Sequence, residues 1–254
     1  MPEGDTVFLA AKRLRAALDG KVLTRSDFRV PRYATVDLSG QTVESVGSYG
    51  KHLFVRTASV SVHTHLKMEG VWRVYRPGQR WTKPAFTARL ILATEDAEAV
   101  GFSLGLVRVL RRADEHTAID HLGPDLLGPN WDPAEAVRRL RENPDRPIGL
   151  ALLDQRNLAG IGNIYRSEIC FLRRIHPATP VGAIDDLTGL VEEAHRVLTE
   201  AAHHPPWRAL AYGRPRQPCR RCGNGMVARQ LGGEGVDSSE RSIYLCPHCQ
   251  PLPI

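Results

Sequence analysis

The sequence predicts an α+β chain in three parts: an N-terminal helix with a β-sandwich, a helical segment, and a C-terminal β-hairpin that carries cysteines. Three observations predict it. Short apolar runs broken by turns occupy Lys21 to about Leu110, the pattern of half-buried strands. After Arg112 the apolar spacing becomes helical. Two Cys-x2-Cys pairs, Cys219/Cys222 and Cys246/Cys249, then flank a stretch with strand-like ends. With 254 residues the chain has material for one large domain or two modest ones, and the pattern divides it at 1–115, 116–204 and 205–254.

Taken in order, Asp5 or Thr6 is placed to cap a helix with Val7, Ala11, Leu14 and Leu18 at helical spacing, and Gly20 stops it after Asp19. Strands are expected at Val43–Val46, Leu53–Val55, Val60–Val62, Val71–Val74, Leu90–Leu92 and Val107–Leu110. Two glycine-punctuated loops lie among them, Tyr49-Gly50-Lys51-His52 and His65-Leu66-Lys67-Met68-Glu69-Gly70; Lys51 and Lys67 read there as solvated turn lysines unless a ligand claims them. Gly123-Pro124 and Gly128-Pro129 are breaks. Asp132 opens a helix over Pro133–Asn143 with proline in its first turn. A short apolar segment follows at Ile148–Leu153. A glycine-rich turn from Leu158 then feeds a helix reaching about Leu172, and Asp185–His203 forms another helix. The proline-punctuated linker Pro205–Pro218 leads to the hairpin, with strands near Met226–Gln230 and Arg241–Leu245 around Leu231-Gly232-Gly233-Glu234-Gly235.

Composition is that of an ordinary globular protein, 42% hydrophobic and 24% charged. No apolar run reaches the roughly 18 residues of a membrane span and no charged-then-apolar leader opens the chain, so a cytoplasmic protein without a membrane partner is expected. The formal charge of +6 favours an anionic partner, nucleic acid above all. Chemistry begins at Pro2-Glu3-Gly4-Asp5. Once Met1 is removed, Pro2 is a secondary amine of ordinary pKa about 8, and the positive end of the helix behind it disfavours its protonation. Attack of that nitrogen on a sugar C1′ gives an iminium ion with no N–H proton to lose. The cation acts as an electron sink, acidifies the C2′ hydrogen and promotes elimination, with Glu3 as the acid. The alternative is a mobile end followed by capping residues.

The Gly160-Ile161-Gly162 turn either presents N–H groups to an anion, with the Asn163 amide beside them, or serves only a tight turn between helices. It is no dinucleotide fingerprint, because the strand-then-helix context is missing. Cys219, Cys222, Cys246 and Cys249 have spacing suited to a tetrahedral four-thiolate zinc site. Two disulfides are the alternative, disfavoured in a cytosolic chain. Cys170, in an apolar helix, reads as a buried thiol. His63, His65, His203 and His204 read as packing or surface histidines, since the thiolates already complete a metal.

In order along the whole chain, Pro2-Glu3, Gly50-Lys51, Gly160 through Glu168, Tyr212-Gly213-Arg214 and Arg241 through Gln250 resemble the formamidopyrimidine-DNA glycosylase and endonuclease VIII family. The resemblance implies a helix and β-sandwich domain, a helix-two-turn-helix domain, and a C-terminal zinc finger with one structural zinc ion. It implies a monomeric DNA glycosylase and AP lyase of base excision repair, acting on damaged DNA near the nucleoid without a small-molecule cofactor. Pro2 would displace the damaged base and form the iminium, while Glu3 protonates the sugar ring oxygen. Lys51, Asn163 and Arg241 would hold phosphates around a flipped nucleotide, Lys51 and Arg241 counting with the catalytic residues and Arg166 with the DNA-binding ones. Met68 would fill the vacated stack, unless it is a core methionine. β- and then δ-elimination would leave a one-nucleotide gap.

The opening Met1-Pro2-Glu3-Gly4-Asp5-Thr6 and Arg166 are similar to the endonuclease VIII branch. Neither a lid insertion ahead of Tyr212 nor an Arg-x-Phe wedge between Leu104 and Leu110 is present. Oxidised pyrimidines are therefore expected ahead of 8-oxoguanine and formamidopyrimidines. Thr6 stands where most members carry glutamate, and Arg216 breaks the usual Tyr-Gly-Arg-x-Gly. Two readings of other classes stand against this one. A non-catalytic damaged-DNA-binding protein on the same scaffold would form no reducible covalent complex, and a zinc-ribbon module of RNA metabolism would bind RNA without cutting strands.

Overall fold

A computed structural model describes residues 2–232 and 241–252, and these fall into two compact units, residues 1–121 and 122–254. In the first unit Gly4–Leu18 forms helix α1. Its apolar spacing buries Val7, Ala11, Leu14 and Leu18 on one face. Gly20, at φ +73°, turns the chain immediately behind it, a conformation glycine adopts without strain. The helix begins earlier than its sequence suggests: Glu3, not Asp5 or Thr6, is the N-cap residue, and Glu3 C=O accepts the Val7 N–H at 3.1 Å.

Eight strands follow: β1 Arg25–Phe28, β2 Ser45–Tyr49, β3 His52–Arg56, β4 Val60–His65, β5 Val71–Tyr75, β6 Ala88–Ala93, β7 Glu98–Phe102 and β8 Leu106–Arg111. They pair antiparallel into two four-stranded sheets, ordered β2-β3-β4-β8 and β1-β6-β7-β5. Inward residues of both sheets, among them Leu53, Val55 and Val62 on one and Leu90, Leu92 and Ala99 on the other, form one core with the buried face of α1. That is the expected sandwich. β1 and β7 were not anticipated. Arg25-Ser26-Asp27-Phe28 has a single large apolar residue, and Glu98-Ala99-Val100-Gly101-Phe102 contains a glycine and no clean alternation.

The second unit contains α2 Pro133–Arg141, α3 Ile148–Ala151, α4 Asn163–Leu172 and α5 Leu187–His203, then the hairpin β9 Val227–Leu231 and β10 Arg241–Leu245. Asp132 caps α2 by accepting the Glu135 N–H at 3.0 Å, and Asp186 caps α5 by accepting the Gly189 N–H at 2.8 Å. Leu140, Ile148, Leu152, Ile169, Leu190 and Val197 are among the buried residues that make its core. Both hairpin strands lie within a residue of their expected places, whereas most of the expected turn falls outside the described residues. The hairpin is tied to the helices by polar contacts. Gln250 Oε1 accepts the Cys246 N–H at 3.0 Å while its Nε2 donates to Ile175 C=O at 2.8 Å. Arg221 donates to Phe171 C=O at 2.9 Å and lies over the Phe171 ring at 4.7 Å. Among the described residues no helix is long and apolar enough to cross a membrane.

Candidate active site and metal centre

In the first unit, Pro2 is half-buried at the head of α1 and Glu3 behind it is only 1% exposed. The helix therefore sets its positive end beside the Pro2 nitrogen, where a second positive charge is disfavoured. With Met1 removed, the Pro2 nitrogen would be an amine one residue from the desolvated side chain of Glu3, an arrangement suited to nucleophilic attack with acid assistance. Lys51 sits in the two-residue turn joining β2 to β3, with Gly50 at φ +54° making that turn possible. Met68 is 67% exposed, so the core-methionine alternative is set aside. It projects from the β4–β5 turn behind Lys67, whose φ of +55° is held by its own N–H donating to His65 Nδ1 at 2.9 Å.

The outer face of the β2-β3-β4-β8 sheet carries a group of side chains that sequence reasoning treated singly. The β3–β4 register sets His52 opposite His65, Phe54 opposite His63 and Arg56 opposite Ser61. His52 Nδ1 and His63 Nε2 share a hydrogen bond of 2.8 Å, and the His63 ring stacks between His52 and Phe54 at centroid distances of 5.0 and 4.7 Å. Burial, reinforced by neighbouring His121, Lys51, Lys67 and Arg108, lowers His52 to about 4. Burial likewise lowers His63 and His65 to about 3, so all three rings are neutral at pH 7. One row further on, Glu115 accepts from Arg56 at 2.8–2.9 Å, from Arg112 at 3.0 Å and from Ser61. Its burial would raise its pKa, but those bonds and charges bring it below the ordinary carboxylate value.

In the second unit the Gly160–Gly162 turn is stapled from within. Gln155 Oε1 accepts the Gly160 N–H at 3.0 Å and Gln155 Nε2 donates to Ile161 C=O at 2.8 Å. The Gly160 N–H is thus engaged by protein rather than offered to an anion, and Gly160 adopts φ +116°. Asn163 opens α4; its Nδ2 donates to Ser242 C=O of β10 at 2.9 Å, and its buried Oδ1 has no hydrogen-bond partner among the described residues. The expectation that Arg166 binds DNA is corrected here. Arg166 is 0% exposed and its Nη1 donates to Gly149 C=O at 3.2 Å, because its place on α4 faces the helical core. Arg241 is the first residue of β10, paired with Leu231; its side chain lies outside the described residues.

Sequence reasoning missed the part Glu168 plays. Fully buried, it accepts the N–H groups of Leu210, Ala211 and Tyr212 at 2.7–2.9 Å, so one carboxylate holds the segment that leads into Tyr212-Gly213-Arg214. The signal was available: a glutamate among the apolar residues of an inward helix face demands partners. Cys219, Cys222, Cys246 and Cys249 converge, all four sulfurs lying within 4.8 Å of one another. The Cys219–Cys249 and Cys222–Cys246 Sγ separations are 4.0 and 3.5 Å. Sulfurs at Zn–S distances of about 2.3 Å in a tetrahedron stand about 3.8 Å apart, so this set can hold a metal ion. Cys170 is the expected buried thiol, its pKa pushed up to about 12 by burial.

Comparison with known proteins bears on both units. The model of the formamidopyrimidine-DNA glycosylase N-terminal domain matches residues 1–103, and that of the H2TH domain of the same glycosylase matches residues 122–205. Similar proteins include a probable endonuclease 8 2 of Streptomyces coelicolor, 51% identical over 100% of this chain and 95% of the relative. The DNA-(apurinic or apyrimidinic site) lyase Nei2 of Mycolicibacterium smegmatis is 48% identical over 98% of this chain and 99% of the relative. A crystal structure of Lactococcus lactis formamidopyrimidine-DNA glycosylase bound to DNA containing an abasic site superposes with a TM-score of 0.84. At 21% identity over 99% of this chain and 100% of that one, it establishes likeness of fold.

Proposed function

The chain belongs to the formamidopyrimidine-DNA glycosylase and endonuclease VIII family, and from that membership we infer a bifunctional glycosylase and AP lyase of base excision repair, directed at oxidised pyrimidines. What supports this most is the placement of Pro2 at the head of α1 with buried Glu3 directly behind it. The Pro2 nitrogen lone pair attacks C1′, the C1′–base bond breaks, and the base leaves with a proton. Glu3 protonates the ring oxygen so that the sugar opens to the iminium. Loss of the C2′ proton pushes electrons to C3′ and expels the 3′ phosphate, and a second elimination expels the 5′ phosphate. Lys51, Asn163 and Arg241 hold flanking phosphates, and Met68 occupies the gap in the stack. Pyrimidine preference is favoured by the short β7–β8 connection, Ser103-Leu104-Gly105, in which Leu104 is buried and no aromatic wedge is carried.

Zinc on Cys219, Cys222, Cys246 and Cys249 would supply folding energy to the hairpin and take no part in the reaction. The protein works on damaged DNA in the cytoplasm, as a monomer, with functional parts at 1–115, 116–204 and 205–254. The test is borohydride trapping of tag-free protein on oligonucleotides carrying thymine glycol, 5-hydroxyuracil, 8-oxoguanine or an abasic site. A covalent complex is expected, strongest among the intact lesions on an oxidised pyrimidine, and lost when an uncleavable N-terminal fusion turns the Pro2 nitrogen into an amide. Normal strand cleavage by that fusion removes Pro2 as nucleophile; preferential trapping on 8-oxoguanine reverses the lesion assignment.

A further inference from the structure

Phe86 is 88% exposed, more than any other large apolar side chain among the described residues. Its turn is nevertheless pinned. Thr87 donates to Pro84 C=O through both its N–H (3.0 Å) and its hydroxyl (2.7 Å), and Arg29 Nη1 donates to Ala85 C=O at 3.3 Å. The ring is thus displayed by an ordered turn. Where it is displayed matters. Ala88, Phe102 and Val71 form one row across β6, β7 and β5, so three connections emerge at the same end of the sheet: residues 84–87, 103–105 and 66–70. They are linked in sequence across that end. The Ser103 N–H donates to Thr87 C=O at 2.7 Å, and the Gly105 N–H donates to His65 C=O at 3.1 Å. The Lys67 stem lies over Gly105 so closely that a Cβ there would come 2.3 Å from Lys67 Cγ. The 66–70 connection carries Met68, the other strongly exposed large apolar side chain in this group. β5 and β6 are two strand spacings apart, about 10 Å.

Charge at this end suits a polyanion. Lys67, Lys83 and Arg89 are exposed and none is ion-paired among the described residues, while the connections themselves contribute one carboxylate, Glu69. Aromatic rings interleaved with unpaired cations are how proteins hold opened nucleic acid, the ring stacking on a base and the cations meeting phosphates. We infer that Phe86 is a second base-stacking contact, seated against the base left without its partner when a damaged nucleotide is flipped, from a connection neighbouring the one that presents Met68. This rests on the reading of the protein as a DNA glycosylase.

The test compares wild type, Phe86→Ala and Phe86→Trp on a duplex with a non-cleavable tetrahydrofuran abasic analogue opposite 2-aminopurine, and on the same duplex undamaged. Phe86→Ala should weaken binding to the abasic duplex about 5- to 150-fold, the span that one base–aromatic stack carries by alanine replacement. Binding to undamaged duplex should be unchanged, wild type should quench the 2-aminopurine where Phe86→Ala does not, and Phe86→Trp should restore both. Equal affinity and equal quenching in Phe86→Ala overturn the inference, including the case in which the ring serves a protein partner. Borohydride trapping by the wild type separates the two levels: if it traps and Phe86→Ala binds undiminished, only this contact is wrong; if it traps nothing, the underlying reading fails.

Discussion

Three imidazoles on the outer face of the β2-β3-β4-β8 sheet give the first unit a pH dependence of definite sign. His52, His63 and His65 titrate near 4, 3 and 3 in the fold, chiefly through burial, against about 6.5 in an unfolded chain. Between those values the unfolded state binds protons and the folded state does not. Their contribution is therefore complete above pH 6.5 and declines as pH falls towards 4, by at most about 1.4 kcal/mol per pH unit per ring, less for the incompletely buried His52 and His65. Glu115, held below its ordinary value, acts in the same direction but only below about pH 4.5, so above that pH the fall belongs to the histidines and below it the two effects overlap. His63→Phe keeps a ring stacked between His52 and Phe54 while removing one proton site. Thermal unfolding from pH 7 to 4 should show a falling midpoint in the wild type and a shallower fall in His63→Phe; identical slopes would mean His63 takes a proton equally in both states. The sequence carried part of this. It left His63 and His65 as packing or surface histidines, without choosing between the two; register alone set them against His52 and Phe54, and register is a long-range property.

At the level of elements, α4 organises the second unit through one carboxylate. Replacing Glu168 by alanine orphans one buried N–H group, on Ala211, and two part-buried ones that water can reach, so a loss of about 1–3 kcal/mol is expected. Glu168→Gln, which keeps an acceptor oxygen, should lose less. Urea unfolding with limited proteolysis around residues 205–215 reads both; equal stability of wild type and Glu168→Ala would mean that segment is held by other contacts. The hairpin offers a second handle. Cys246→Ala should lose a bound zinc equivalent by metal analysis and weaken DNA binding while the β-sandwich still unfolds normally; full zinc content and full affinity would remove the metal from the account. Helices with capping residues and apolar stripes, such as α2 and α5, were legible because both signals are local. Four of the six expected strands were recovered within two residues at both ends, whereas β1 is held as a strand by pairing with β6, and β7 by pairing with both β6 and β5. Arg166 departs for a different reason: resemblance placed it on DNA, but helical phase set it among Tyr165, Ile169 and Cys170, where packing decides.

For the whole molecule the decisive quantity is charge, +6 over 254 residues. Each phosphate neutralised by a lysine or arginine releases condensed counterions, so affinity for duplex DNA falls with salt at a logarithmic slope of about −0.9 per contact. The residues proposed to hold phosphates differ in this respect. Lys51 and Arg241 are cations, whereas Asn163 is a neutral amide already donating to Ser242 C=O, with its second Nδ2 hydrogen left to give. Lys51→Ala should therefore lower affinity and flatten the salt slope by about 1, equally on damaged and undamaged duplex, because a phosphate contact carries no sequence information. Asn163→Ala should lower affinity without changing the slope, provided metal content confirms that the hairpin remains folded. Titrations by fluorescence anisotropy between about 50 and 200 mM salt resolve a change of one contact. An unchanged slope in Lys51→Ala would place that lysine off the DNA backbone, returning it to the solvated turn residue that its loop alone suggests.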